Sequence, residues 1–427
     1  MFLKTMAGVA VFLTLGACAT SGLMSGATGP SRYLAAWTGD DDLKDSDFLA
    51  VLDVKPRSPQ YGRVVTTAPI GMNALQPHHT EHFLDPSGIL FASGWAGDRT
   101  FRFDLRQPER PRLLGEVLRP KDIHFLHSFV RLPNGHVLAT YQAEGEKREG
   151  AGGLAEFDAE GRFVRKSSAR WPGIDPEALR PYSLAVLPNL DRIVTGCNAM
   201  PFPTTWTDPR VVELREHRDH GPRGLHVQVW RLSDLQLLAT LPLPTEPRDR
   251  RAVGPSEPRV LADKRTVLIP TGQGALFKVD QLDTTPTVTR VYTFETSPPA
   301  TGTAGPLVIG RYWIQTLGRS HLIMSLDVGD PAHPKEVSRV KLGEKLIAHW
   351  VAFDEGGNRI VVADSGGGVG GENRLWMVNI DRATGKLEID TRFRNEGSDQ
   401  PGFSFDLKEW PHGATGPATP HGSVFVP

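Results

Sequence analysis

The segment Phe83-Leu-Asp-Pro-Ser-Gly-Ile-Leu-Phe-Ala-Ser-Gly-Trp-Ala-Gly-Asp-Arg-Thr-Phe-Arg-Phe-Asp-Leu105 decides the fold class of this chain. A turn at Asp85–Gly88 precedes the apolar run Ile89–Ala92, and a second turn at Gly97-Asp98 leads into the alternating run Thr100–Asp104. Short β-rich runs separated by turn residues predict antiparallel strands joined by hairpins. The segment therefore predicts one unit of an all-β structure.

Similar third strands recur along the chain about every 40–60 residues, which is the spacing of propeller blades. The other copies are Phe48–Asp53, Gly153–Asp158, Leu225–Trp230, Ala275–Asp280, Leu322–Asp327 and Leu375–Asn379. Seven copies without a helical period between them predict a closed seven-bladed β-propeller, because closure leaves no exposed sheet edge.

We expect the propeller to occupy residues 33–400, with blades near 33–75, 76–120, 121–175, 176–250, 251–297, 298–343 and 344–400. Residues 401–427 are expected to form a C-terminal tail that returns to the channel. Arg210 to Arg223 reads as a charged, solvated insertion in the fourth blade.

The overall composition excludes some classes of partner. The 427 residues carry 48 Lys and Arg against 49 Asp and Glu, a net charge of −1. This balance argues against a nucleic-acid-binding protein and against a polybasic membrane surface.

The N-terminus resembles a bacterial lipoprotein signal. Lys4 is followed by the apolar stretch Ala7–Leu15, which is too short to span a bilayer, and then by Leu15-Gly-Ala-Cys18. We expect residues 1–17 to be the signal peptide, Cys18 to be lipidated, and residues 18–32 to be a tether. Ala19, rather than Asp, predicts a periplasm-facing outer-membrane lipoprotein; the alternative is a plain secretory signal.

With Cys18 acylated, Cys197 is the one cysteine left, so an intramolecular disulfide and a cysteine-rich metal site are excluded. Cys197 is expected to be a small buried residue on a strand.

Histidines recur at one position of the repeat. His79, His127 and His349 each stand eight or nine residues before a turn glycine, and a β-rich run follows. Equal register in different blades means equal height along the propeller axis, so these side chains are expected to meet at one end of the channel. A ring of imidazoles predicts a metal site.

Several segments resemble the selenium-binding protein family, whose bacterial members include methanethiol oxidase. The resemblance covers most of the chain from about residue 46. It is carried by Asp47–Val64, the pair His78-His79, Pro120-Lys-Asp-Ile-His124, Phe125-Leu-His-Ser128, Leu225–Trp230, Glu257-Pro-Arg-Val-Leu261 and Pro411-His412.

The chain also departs from the family pattern. Thr80-Glu-His-Phe83 stands in place of a cysteine-rich loop, Pro420-His421-Gly-Ser423 in place of Gly-Gly-Asp-Cys, and Asn189–Arg192 lacks the family histidine. These differences argue against covalent selenium binding. They do not affect the prediction that the histidines bind a metal ion.

Imidazole ligands suit copper, zinc, nickel and iron. The candidate metal ligands are His78, His79, His127, His349 and His412, and the candidate pocket or second-layer residues are Glu257, Tyr182, His82, His124 and His421. The alternative for each histidine is hydrogen bonding to water and strand ends in a polar channel. His82 is expected on the opposite strand face, packed between blades, unless a turn there directs it inward. Glu257 is either an acceptor for a ligand imidazole or the ion-pair partner of Arg259.

The resemblance implies a copper-dependent oxidase that converts a small thiol and O2 into an aldehyde, hydrogen sulfide and hydrogen peroxide. A non-enzymatic selenium-binding, ligand-binding or scaffold lipoprotein of the cell envelope is the alternative. A calcium-dependent lactonase ranks lowest, because such a site needs inward carboxylates where this chain has histidines.

Overall fold

The computed structural model of the protein describes residues 29–427 except 74, 147, 149, 201–223, 246–249, 297–301 and 365–370. The described residues form seven antiparallel sheets, six of four strands and one of five, with four single-turn 3₁₀ helices between strands. The predicted all-β seven-bladed propeller is confirmed. None of the helices in the described ranges has the length and hydropathy of a membrane span.

The strands follow the chain blade by blade. The first blade contains β1 (Tyr33–Asp40), β2 (Phe48–Asp53) and β3 (Arg63–Pro69). The second contains β4 (Pro77–Thr80), β5 (Ile89–Gly94), β6 (Arg99–Asp104) and β7 (Arg112–Glu116). The third contains β8 (Ile123–Arg131), β9 (Val137–Glu144), β10 (Gly153–Phe157) and β11 (Phe163–Ser168). The fourth contains β12 (Pro181–Leu187), β13 (Arg192–Cys197), β14 (His226–Arg231) and β15 (Leu237–Pro242).

The remaining blades have the same plan. The fifth contains β16 (Arg259–Val260), β17 (Val267–Pro270), β18 (Ala275–Asp280) and β19 (Thr287–Thr293). The sixth contains β20 (Thr303–Ile309), β21 (Tyr312–Leu317), β22 (Leu322–Asp327) and β23 (Lys335–Lys341). The seventh contains β24 (Ala348–Asp354), β25 (Arg359–Asp364), β26 (Arg374–Ile380), β27 (Leu387–Ile389) and β28 (Phe403–Ser404). The last strand is β29 (Ala418–Val426), and the 3₁₀ helices are Pro176–Ala178, Pro188–Leu190, Arg250–Ala252 and Gly318–Ser320.

The C-terminal segment closes the ring. β29 pairs antiparallel with β1 and is therefore the inner strand of the first blade. It contacts β4 of the second blade and β24 of the seventh, and the inner strands contact one another around the whole channel. Residues 401–427 supply β28 to the seventh blade and β29, an inner strand, to the first.

The hydrophobic core lies between neighbouring blades. Middle strands such as β2 and β25 are buried along their full length, because both sheet faces pack against other blades. One cluster joins Leu34 and Phe48 of the first blade to Val361 and Met377 of the seventh. Outer strands such as β7 and β23 are mostly exposed.

Each inner strand contains one irregularity in its pairing, at a similar position in every blade. Six of the shifts enclose two residues: His78-His79, His127-Ser128, Tyr182-Ser183, Gly305-Pro306, His349-Trp350 and His421-Gly422. In the fifth blade the pairs Pro255–Thr271 and Arg259–Leu268 enclose the same shift, with Glu257 inside it. A β-bulge adds a residue to one strand and redirects its side chains. The seven bulges together form one ring around the channel.

Candidate metal centre

The bulges explain why so many histidines meet. Successive residues of a regular strand point to opposite faces. His78 and His79 instead stack on each other, with ring centroids 4.2 Å apart and planes 14° apart, because they lie together in the bulge of β4. The bulges of the neighbouring inner strands add His127, His349 and His421 to the same group.

The imidazoles form a continuous cluster. His78 lies 4.5 Å from His421 and 4.7 Å from His127, measured between ring centroids. His79 lies 4.4 Å from His127, and His349 lies 4.8 Å from His421. Four of these residues, His78, His79, His349 and His421, each offer a ring nitrogen within 4.8 Å of the other three. His127 contacts this group of four from one side.

Burial keeps these rings neutral. Removal from water and the neighbouring imidazoles hold the pKa of His78, His79 and His421 well below the ordinary value, and burial does the same for His127. The pKa of His349 is also lowered by burial, although the Glu257 carboxylate favours its charged form. Neutral imidazole is the form that ligates metals.

The cluster also contains buried nitrogens without a hydrogen-bond partner. These are Nδ1 of His78 and Nε2 of His79, His127 and His421. Leaving a buried polar atom unpaired costs about 1–3 kcal/mol. Four such atoms in one cluster mark a place where a ligand would supply the missing interaction.

The spacing of the cluster fits a single metal ion. Nitrogens that ligate one ion at about 2.0–2.1 Å cannot be more than about 4.2 Å apart. The ring nitrogens of the four histidines lie within 4.8 Å of one another, so a small movement of the side chains would bring them to the distances that one ion requires. The donor set consists of imidazoles alone, which suits copper or zinc and not calcium. His78, His79, His349 and His421 would hold the ion.

Aromatic side chains surround the histidines. Tyr182 lies 3.8 Å from His127 between ring centroids, and Trp350 lies 4.7 Å from His79. Trp95 lies 5.7 Å from both His78 and His127. The site is thus lined by large, poorly hydrated rings, which limits the water that reaches the imidazoles.

An ion-pair network crosses the channel beside the cluster. His82 stacks on Trp350 with centroids 4.0 Å apart, and its Nε2 accepts a hydrogen bond from Arg259 Nη2 at 2.7 Å. Its Nδ1 lies 3.1 Å from the Val351 carbonyl and donates to it, since the guanidinium can only donate. Burial and the Arg259 charge lower the pKa of His82 to about 3. His82 therefore connects the second, fifth and seventh blades, which corresponds to the inward-directed alternative and not to packing between two sheets.

Glu257 belongs to this network. Its Oε2 lies 2.7 Å from Arg259 Nη2, and its Oε1 accepts the Gly305 N–H at 3.1 Å. The ion-pair alternative for Glu257 is therefore the observed one. Its carboxylate acts on His349 through its charge.

Two of the proposed residues lie away from the cluster. Nδ1 of His412 is 2.8 Å from Thr67 Oγ1 on the outer strand β3, and its ring packs on Phe48. The assignment of His412 as a ligand is corrected: residues 410–414 form a turn against the outside of the first blade, before β29 enters the channel. His124 pairs with Asp98 at 2.9 Å on the neighbouring blade and is not part of the cluster.

His421 takes the position expected for His412. The sequence placed His421 among the pocket or second-layer residues. The signal that identifies it is its place in the bulge of β29, opposite Trp37, and this follows from closure of the ring by the C-terminal strand. The buried, unpaired Cys197 on β13 matches its expected role.

Some predictions fall outside the described residues. These concern the signal peptide, Cys18, most of the tether and the charged insertion at 210–223.

Comparison with known sequences finds similarity to methanethiol oxidases and to a selenium-binding protein. The chain is 32% identical over 142 residues to the methanethiol oxidase of a Hyphomicrobium species, covering 32% of each protein. It is 27% identical over 238 residues to human methanethiol oxidase, covering 49% of this chain and 46% of that one. It is 25% identical over 239 residues to selenium-binding protein 1 of Arabidopsis thaliana, covering 50% and 46%. The matched regions span less than half the length of these curated relatives.

Comparison with solved structures shows the same fold. A hypothetical selenium-binding protein of Sulfolobus tokodaii has a TM-score of 0.71 at 18% identity, with 92% of this chain and 93% of that chain covered. The periplasmic gluconolactonase of Pseudomonas aeruginosa has a TM-score of 0.57 at 14% identity, with 84% and 94% covered. No model of a protein family matches the chain.

Proposed function

This chain is a divergent member of the family of selenium-binding proteins and methanethiol oxidases, and from that premise we propose that it is a copper-dependent thiol oxidase acting on a small thiol with O2 at the histidine cluster. The observation that carries the proposal is the set of four imidazoles whose ring nitrogens lie within 4.8 Å of one another. Buried, unpaired nitrogens on three of the four support it.

The reaction must balance in atoms and electrons. A thiol with a carbon bearing hydrogen, O2 and water would give an aldehyde, hydrogen sulfide and hydrogen peroxide. The carbon loses two electrons, O2 gains two electrons and two protons, and water supplies the aldehyde oxygen. Copper, when bound, would lower the pKa of the thiol and mediate electron transfer.

The residues of the chain contribute binding and exclusion of water. His78, His79, His349 and His421 provide neutral nitrogen donors, while Trp95, Tyr182 and Trp350 keep the surroundings dry. The network of His82, Arg259 and Glu257 holds the fifth blade against the second and seventh. A dry, rigid site strengthens electrostatic interactions and limits side reactions.

The test uses protein purified without a histidine tag and loaded with copper. We expect about one copper ion per chain and thiol-dependent O2 uptake. Both are expected to be lost in His349→Ala and retained in His333→Ala, whose histidine is exposed on the surface beside Asp330. Absence of copper binding by the folded wild type would reject the proposal.

A ligand-binding lipoprotein of the cell envelope is the second candidate. The observation that favours it is the replacement of the family cysteines by Thr80–Phe83 and Pro420–Ser423. Copper binding without thiol-dependent O2 uptake would favour this function.

An outer-membrane, periplasm-facing location is part of the same proposal and rests on the sequence around Cys18. Replacement Cys18→Ser is expected to move the protein from the membrane fraction to the soluble fraction of the producing bacterium. Unchanged membrane association would contradict lipidation at Cys18.

A further inference from the structure

A single hydroxyl group lies between two of the imidazoles. Ser128 Oγ is 3.0 Å from Nδ1 of His79 and 3.0 Å from Nδ1 of His127. Ser128 is buried and shares the bulge of β8 with His127. Within the described part of the chain, these two nitrogens are the hydrogen-bond partners of the Ser128 hydroxyl.

The proton count of this arrangement restricts the two histidines. A serine hydroxyl has one proton, so it can donate to Nδ1 of one ring only. The other hydrogen bond requires a proton on the imidazole Nδ1. A neutral imidazole protonated at Nδ1 has a bare Nε2, and Nε2 of both rings is buried without a partner. At least one of His79 and His127 therefore presents a lone pair to the cluster.

The Ser128 backbone is anchored on two blades. Its N–H donates to Thr140 Oγ1 on β9 at 3.1 Å, and the Thr140 hydroxyl donates to the Tyr182 carbonyl on β12 at 2.9 Å. The bulge and these two hydrogen bonds hold the hydroxyl where it meets both rings.

We propose that Ser128 is a positioning residue of the histidine cluster: its hydroxyl accepts from Nδ1–H of His79 and donates to Nδ1 of His127, which orients both rings and leaves Nε2 of His79 bare for a metal ion. The inference rests on the proposed metal site. Groups that hold the second nitrogen of a ligand histidine typically change metal affinity about 10- to 100-fold.

The fourth blade offers a matched control. Ser183 follows Tyr182 in the bulge of β12, as Ser128 follows His127 in β8, and it is buried as well. No hydrogen bond joins Ser183 to an imidazole among the described residues. Ser183→Ala therefore removes a buried hydroxyl from the same structural position without touching the cluster.

The experiment has two readouts. In the metal-free protein, ¹⁵N chemical shifts of labelled histidines report which ring nitrogen is protonated, with signals assigned from His79→Asn and His127→Asn. In the copper-loaded protein, competition with a chromophoric chelator gives the affinity. Ser128→Ala is expected to change the tautomer of at least one of the two histidines and to weaken copper binding about 10- to 100-fold. Ser128→Thr and Ser183→Ala are expected to retain the wild-type pattern.

The outcomes separate this inference from the proposed function. Unchanged tautomers and unchanged copper affinity in Ser128→Ala would overturn the role of Ser128. A wild type that binds no copper, but whose tautomers change in Ser128→Ala, would reject the metal site and support the positioning of the rings. If the alanine variant does not fold, Ser128→Val compared with Ser128→Thr gives the same test, because the two side chains have nearly the same shape and only threonine has a hydroxyl.

Discussion

At the scale of residues, the histidine cluster offers imidazole nitrogens as its donors. His78, His79, His349 and His421 bring nitrogen donors together without a carboxylate among them. Water cannot easily satisfy their buried nitrogens, because the rings contact one another and neighbouring aromatic side chains. This combination favours a soft or borderline metal ion over a network of hydrogen bonds.

The first prediction compares two histidines of the C-terminal segment. His421→Ala removes one of four donors, so copper affinity should fall by at least about 10-fold, a lower bound taken from the effect of outer-layer groups. His412→Ala should leave affinity unchanged, because His412 bonds Thr67 on the outside of the first blade. Chelator competition measures both, and equal losses in the two variants would contradict the assignment.

The second prediction concerns pH and Asp104. Hydrogen bonds from Arg106 and Arg112 hold the pKa of this carboxyl well below its usual value. A carboxyl with a depressed folded-state pKa stabilises the fold above its unfolded pKa, about 3.9, and this contribution is lost as the pH falls below that value. Asp104→Asn should therefore destabilise the protein at pH 7, by at most about 1 kcal/mol because both arginines are largely exposed.

Thermal unfolding at several pH values checks this prediction. The difference in Tm between wild type and Asp104→Asn should shrink as the pH is lowered from 7 toward 3. A difference that stays constant would show that the charge of Asp104 does not stabilise the fold.

At the scale of elements, the bulged inner strand is the unit that builds the site. The second and third strands of each blade provide the buried core, and the inner strand is free to depart from regular pairing on its channel side. One extra residue in each inner strand turns side chains of every blade toward the same level. The site is therefore an assembly of seven equivalent positions, four of which carry histidine.

The third prediction tests the bulge of the sixth blade. Gly305 has φ +51°, and a Cβ there would lie 1.9 Å from the His349 carbonyl oxygen. Gly305→Ala should therefore displace β24 and lower stability by about 1–3 kcal/mol, with weaker copper binding through His349. Gly272→Ala is the control, because its nearest neighbour would be 3.8 Å away. Chemical unfolding and copper titration of both variants measure these effects. Equal stability and equal copper binding in Gly305→Ala and Gly272→Ala would contradict the prediction.

At the scale of the whole molecule, the strand that closes the ring also contributes a residue to the histidine cluster. β29 completes the first blade, packs against the second and seventh blades, and supplies His421. The two ends of the propeller meet in one sheet, and the metal-site candidate lies at that junction.

The fourth prediction follows from closure. A chain that ends at Pro417 loses β29, which exposes the edge of β1 and the apolar residues that pack against Phe425 in the intact chain, such as Leu34. It should lose cooperative thermal unfolding and tend to aggregate, as followed by circular dichroism and light scattering. A chain that ends at Val426 lacks one exposed residue and should behave as wild type. A stable, monomeric chain ending at Pro417 would show that closure by β29 is dispensable.

The sequence by itself determined the seven-bladed fold and the recurrence of His79, His127 and His349 at one position of the repeat. Strand repeats carry that information locally, because each blade is specified by its own alternation and turns. Only the tertiary structure decided that His421 and not His412 joins the cluster, that His82 bridges three blades, and that Ser128 lies between two rings. These features depend on bulges and on the pairing of strands nearly four hundred residues apart, which a period of two along the chain does not encode.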